Sequence, residues 1–235
     1  MSFLLNYSGI ELVILLCIRL LIIFAILPIH EYAHGYAARK LGDNTALIAG
    51  RLTLNPLAHV DPLGALLLLL LGFGWAKPVP VNPRNFANYK RDMAITAMAG
   101  PLSNLICAVC AIFINSILIG VYNYRAFSLP ESVYTVIFFI IIAFQYFATI
   151  NISLAVFNLI PIEPLDGSRI FSYFLPPKAN AFIARYRRYF YYGLLILIIT
   201  GILTGPLSWV INKLYDLICL LFFWVDIIFR VVFLR

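Results

Sequence analysis

The sequence predicts a membrane-embedded all-α protein, a polytopic helical bundle of about five spans. A small β or re-entrant element lies between its first and second long helices. Three observations carry that prediction. Of 235 residues, 63% are hydrophobic and 11% are charged, whereas soluble domains run near half apolar and about a quarter charged. Several apolar runs are long enough to cross about 30 Å of hydrocarbon as helices. The cationic side chains gather in connections that alternate crossings place on one side. A single membrane-embedded domain over residues 1–235 fits this length, with its core at about 10–175 and C-terminal helices at about 189–235.

The first apolar run covers about residues 10–29, and nothing stops the helix before Gly42. Arg19 is its first cationic side chain and no small-residue cleavage site follows, so it reads as a retained helix rather than a secretory signal. Pro28 removes one backbone donor and predicts a kink. The stretch "NTALIAGRLTLNPLAHVDPLG" reads as strands and turns, from its short alternating runs and Asn/Asp-Pro breaks. "ALLLLLLGFGW" is too short for an ordinary span and fits a re-entrant or short buried helix. "AKPVPVNP" is extended, because prolines and the residues before them disfavour helix. Residues 93–123 and 133–157 give two long helices. From Tyr189 to Arg235 the chain is apolar but broken at "GILTGPLS", which divides it into two more.

Charge sets the topology. If residues 65–75 do not cross, Arg39, Lys40, Arg51, Lys77, Arg84, Lys90 and Arg91 share one side with Arg169, Lys178, Arg185, Arg187 and Arg188. The other side keeps Arg125 and Lys213, a pattern that predicts an external N-terminus. The net charge of +7 is thus an orienting charge, and it predicts a lipid bilayer rather than nucleic acid as partner. Cys17, Cys107, Cys110 and Cys219 all lie in apolar runs and read as packing residues, the C-x-x-C of Cys107 and Cys110 included.

The polar groups that remain are few, and they cluster. His30 and His34 stand one helical turn apart in "LPIHEYAHGYAARKLGD", with Glu31 beside them. In this H-E-x-x-H spacing two neutral imidazoles grip one zinc ion and the glutamate serves as general base. Ionisable groups against a membrane span are functional by default. A catalytic zinc takes three protein ligands. Asp166, in "NLIPIEPLDGSRI", emerges on the same face, with a following glycine that permits a tight turn. An N-cap for "GSRIFSYF" is its other reading. His59 reads as a loop hydrogen-bonding residue or an alternate ligand. Arg19, eleven residues before His30, falls on nearly the same helix face and points towards the site or pairs with Glu11. Asn115, Gln145 and Asn151 read as hydrogen-bond links between helices.

"HEYAH", "AGPLSN" and "FNLIPIEPLDGSRI", in this order on three successive long helices, resemble the site-2 protease family of intramembrane zinc metalloproteases, in its compact bacterial branch without a PDZ domain. The resemblance covers about residues 20–175 and includes "NPLAHVDPLG" and "GWAKPVPVNP". It implies one Zn2+ per chain on His30, His34 and Asp166, Glu31 as catalytic base, and Asn158 assisting at the site. Asn104 matches the asparagine of the second-helix motif. Glu163 departs from the family, which usually has a small or apolar residue there. The implied activity is hydrolysis of peptide bonds in or near transmembrane helices of single-span substrates, from the cytoplasmic side of a bacterial membrane. Extended residues 46–54 and 78–81 are expected to pair with an unwound substrate segment. The alternatives are a membrane metal-ion transporter and a catalytically silent helix-binding relative.

Overall fold

The computed structural model describes residues 9–71, 74–124 and 129–233. Its regular structure is helical: α1 (Gly9–Leu21), a π-helical turn (Ile22–Ile26), α2 (Leu27–Lys40), α3 (Thr45–Ile48), α4 (Pro62–Leu71), α5 (Tyr89–Asn123), α6 (Glu131–Asn158), α7 (Asp166–Phe174), α8 (Pro177–Ile199), α9 (Thr204–Leu220) and α10 (Phe223–Phe233). Three helices are long and apolar enough to cross a membrane, Leu15–Lys40, Tyr89–Asn123 and Glu131–Asn158. The pair α8 and α9, bent by 81°, makes a fourth if it crosses as one. Among the described residues the count is thus three or four, not the about five expected. Arg125, on which the charge pattern partly rests, lies outside the described residues.

The expected β element reduces to one antiparallel bridge between Val60 and Ala76, with no strand among the described residues. Within residues 46–54 the run Thr45–Ile48 closes a helical turn instead. Gly50, at φ +67, ends that turn: its N–H donates to Leu47 O and the Arg51 N–H donates to Ala46 O. This is a Schellman cap, and it overrides the local alternation that suggested a strand. The end of α2 repeats the device. Gly42 lies at φ +106, its N–H donates to Arg39 O, and the Asp43 N–H donates to Ala38 O.

The chain packs as two compact units, Met1–Ser103 with Asn158–Tyr191, and Asn104–Phe157 with Tyr192–Arg235. In the second, Ala108, Ala111 and Ile112 of α5 meet Ala148 and Ile152 of α6 and Ile218 of α9. Small residues at such contacts let helices approach closely where no hydrophobic force drives them together. Asn151, expected to link helices, donates to Phe147 O on its own helix. All four cysteines are free thiols, in keeping with packing roles.

The first unit carries the polar cluster. Pro28 has no N–H to give, and the helix answers one turn earlier: the Leu27 N–H donates to Ile22 O, five residues back. The expected kink is thus a π turn. Helix α4 is about 15 Å long, half of what a span needs. Beyond it Gly74 returns to within contact of Gly64 and Leu68, and Ala76 bridges Val60. Gly74 therefore lies beside the first turns of α4. Buried Arg19 donates to the carbonyl of Leu69, near the end of α4, so it serves this helix. The Glu11 side chain is outside the described ones.

Candidate metal centre

Three donor atoms converge in the first unit. His30 Nε2 lies 3.0 Å from His34 Nε2, and Asp166 Oδ2 lies 3.2 Å from the former and 3.3 Å from the latter. Both imidazoles are buried and the carboxylate is partly so. Ligands about 2.0–2.1 Å from a tetrahedral zinc stand about 3.3 Å apart, so the triangle has the size that one ion requires. These three residues form the one such cluster of His, Cys, Asp and Glu among the described residues.

Backbone places two of the donors, His34 and Asp166. The His34 Nδ1–H donates to the Thr96 carbonyl of α5 at 2.7 Å, which leaves the Nε2 lone pair facing the cluster. Helix α5 comes this close because of Gly100, where a Cβ would stand 2.4 Å from His34 Nε2 and 2.6 Å from His30 Cε1. Asp166 is the first residue of α7; the N-cap is Leu165, without a side-chain cap bond, so the capping alternative for Asp166 is not adopted. Gly167 packs against the preceding turn, its Cβ position 2.3 Å from Leu159 O and 2.4 Å from Ile160 O. The glycine thus serves contact with that turn. Burial raises the Asp166 pKa, but without a metal the two imidazoles beside it, once protonated, outweigh burial and hold the carboxyl well below its usual range.

Glu31, between the histidines, accepts the Val79 N–H at Oε2, 2.8 Å. The segment Lys77–Asn82 that supplies this donor lies outside any helix, as expected, and is tied down along its length. The Lys77 N–H donates to His59 O at 2.9 Å, Arg51 Nη2 donates to Lys77 O at 2.6 Å, and the Asn82 N–H donates to Asp43 Oδ2 at 2.7 Å. Buried Asp43 also accepts the Thr45 N–H and Asn85 Nδ2. Burial raises its pKa, and the bonds from Thr45, Asn85 and the Asn82 backbone more than reverse that.

The remaining expected residues divide. Asn158 ends α6, eight residues before Asp166. Asn104 is fully buried on α5. His59 is buried with Nε2 2.7 Å from Thr53 O, the loop role expected of it. Arg19 is bound to α4 and does not point towards the site. Glu163 pairs with Arg187 at 3.4 Å on the surface. Gly100, Thr96 and Val79 were missed as contributors because each acts through backbone or through the lack of a side chain.

The family model described as peptidase family M50 matches residues 18–200, a stretch that contains all three donors. "Putative zinc metalloprotease YwhC" of Bacillus subtilis is 37% identical over 218 residues, 92% of this chain and 94% of that protein. "Putative zinc metalloprotease Rip2" of Mycolicibacterium smegmatis is 30% identical over 179 residues, 74% of this chain and 63% of that protein. The protein of the same name from Mycobacterium tuberculosis is 24% identical over 195 residues, 81% and 70% of the two chains. No solved structure matches. Two imidazoles and a carboxylate suit zinc and other divalent ions alike; the relatives are the ones named zinc metalloproteases.

Proposed function

We propose a function from one premise: this chain belongs to peptidase family M50. It is a membrane-embedded zinc metalloprotease of that family. The finer reading is site-2 protease-like, cleaving peptide bonds in or near the transmembrane helices of single-span membrane proteins. The observation that supports it most is the convergence, within 3.3 Å, of two imidazoles on the helix of an apolar span with the Asp166 carboxylate from the start of α7.

In this reading His30, His34 and Asp166 hold one zinc ion. When bound, zinc polarises the scissile carbonyl and lowers the pKa of a water to about 7. Glu31, held at Oε2 by the Val79 N–H, keeps Oε1 for the water proton and returns that proton to the leaving amine. Asn158 hydrogen-bonds the developing oxyanion. Substrate must unwind locally, because a helix hides its peptide bonds. Pro78 and Pro80 carry no N–H, so that edge of residues 78–81 pairs with substrate only by accepting its N–H groups, and at Pro78 O the substrate would share the acceptor with Arg51 Nη2.

The whole chain acts as one peptidase domain, in keeping with a family match that runs through both compact units. The N-terminus is external, α4 re-enters, and the site opens to the cytoplasmic side of a bacterial membrane, where Arg39, Lys40, Arg84, Lys90 and Arg91 cluster. Whether α8 and α9 cross as one span or give the fifth, these basic connections keep one side. The transporter and silent-relative readings have no observation in their favour: transport sites sit near the midplane between repeats, and Glu31 is retained.

The test is zinc content and cleavage of a panel of reporter-fused single-span proteins in proteoliposomes, wild type against Glu31→Gln. The variant keeps one zinc and loses cleavage. Cleavage that persisted would sink the base assignment, and zinc flux without cleavage would favour the transporter.

A further inference from the structure

We propose that Arg51 is a positioning residue for the Glu31 carboxylate, acting through the extended segment Lys77–Val79. The inference rests on the reading of Glu31 as base. Along an extended chain the N–H and C=O of alternate residues emerge on one edge. On the edge formed by residues 77, 79 and 81, Arg51 Nη2 grips Lys77 O at 2.6 Å and the Val79 N–H reaches Glu31 Oε2 at 2.8 Å. The same guanidinium nitrogen lies 3.4 Å from Pro78 O, beside the bond that joins the two residues.

The segment is stiff enough to pass a displacement on. Pro78 and Pro80 flank Val79 and fix φ on both sides of it. Its far end is held by Asp43, which accepts the Asn82 N–H. Both clamps occupy the same place in their caps, since Asp43 and Arg51 each follow the positive-φ glycine that ends α2 or α3. The two caps therefore aim one acid and one base at opposite ends of the segment that carries the donor for Glu31. At Gly50 a Cβ would meet nothing within 4 Å, so only the backbone conformation requires glycine there.

Hydrogen exchange reads this link apart from catalysis. Between Lys77 and Pro83 only Lys77, Val79, Val81 and Asn82 carry an amide hydrogen, so a peptide over that stretch resolves few sites. In the zinc-loaded full chain, Arg51→Ala is expected to speed Val79 exchange about tenfold or more, as Glu31→Ala does. Arg51→Lys restores part of the protection, and Gly50→Ala, which adds a methyl to open space, gives an intermediate rate. On a reporter-fused single-span protein that the wild type cleaves, Arg51→Ala lowers kcat by roughly ten- to a hundredfold, the range for loss of an outer-shell partner. KM and zinc content hold. Val79 exchange unchanged in Arg51→Ala overturns the proposal. So does faster exchange with kcat unchanged, or a loss of kcat that only follows a loss of zinc. If Glu31→Gln still cleaves, the base reading fails by itself, and the exchange rates continue to report the link from Arg51 to Glu31.

Discussion

Alanine at position 100 sets two effects against each other. In a helix interior, Gly to Ala is favourable by about 1 kcal/mol, through backbone entropy. Here the added Cβ would stand 2.4 and 2.5 Å from His34 Nε2 and Cε1, and 2.6 Å from His30 Cε1. Ordinary carbon contacts begin near 3.5 Å, so α5 or both rings must move by about 1 Å. Overpacking of that kind costs about 1–3 kcal/mol, which cancels or exceeds the helix gain. The metal suffers more than the fold. Donors now 3.0–3.3 Å apart would spread well beyond the roughly ±0.2 Å that ligand distances tolerate. Gly100→Ala is therefore expected to lose at least about a hundredfold in zinc affinity, the upper range for a disturbed outer shell, with thermal stability of the zinc-free protein changed by no more than about 2 kcal/mol. Competition with a chromophoric chelator measures the first, and thermal unfolding in detergent the second. Wild-type zinc affinity in Gly100→Ala would refute the close approach of α5 to the imidazoles.

Gly167→Ala is expected to act on zinc in the same direction, because a Cβ at 2.3 Å from Leu159 O forces apart the start of α7, which bears Asp166, and the turn before it; chelator competition again decides. Glu163→Ala leaves zinc content unchanged and alters stability by less than about 1 kcal/mol, as expected for an exposed ion pair; zinc loss in that variant would mean that Glu163 reaches the site. Asp43→Asn destabilises by about 1–3 kcal/mol at pH 7, through loss of charge from a buried acceptor of several bonds. Because the folded-state pKa of Asp43 is lowered, its contribution is complete above the ordinary carboxylate value near 4 and is lost as pH falls through the folded value. The gap between wild type and variant in thermal unfolding should therefore close on acidification, and a gap that widened would reverse the sign of the argument.

What was legible in the sequence follows from what a side chain announces. His30, Glu31 and His34 announce themselves by spacing, and Asp166 by the side on which its loop emerges. Arg19 misled for a definite reason. Eleven residues of α-helix would bring it round to the face of His30, but the π turn at Ile22–Ile26 inserts a residue and rotates everything before it by about 100°. Residues 46–54 misled because one turn of helix with a glycine cap has the composition of a short strand. The count of spans depends on the 81° bend between α8 and α9, near Gly201 at φ +71, and hydropathy does not encode the angle. Gly100 lay in full view inside "AGPLSN", yet its use is the atom it lacks.

Backbone donors leave no mark in a sequence at all, and the bond from Val79 to Glu31 shows how such a contribution can be isolated. Val79→Pro removes the N–H and exchanges the isopropyl group for a ring of similar size. The segment already reads Pro-Val-Pro and is extended, so a third proline continues it in the conformation that prolines favour. Val79→Ala does the reverse: it keeps the N–H and removes a buried side chain that fills space beside Gly35. A hydrogen bond to a charged acceptor is worth about 1.5–3 kcal/mol. If that holds Glu31 in its reactive position, Val79→Pro loses about ten- to a hundredfold in kcat, at 1.36 kcal/mol for each tenfold. Zinc stays bound, because no ligand has moved. The alanine variant should lose stability and keep its turnover. Equal turnover in the proline variant and the wild type would show that Glu31 is held by its helix alone, and that the extended segment lies beside the base without setting it.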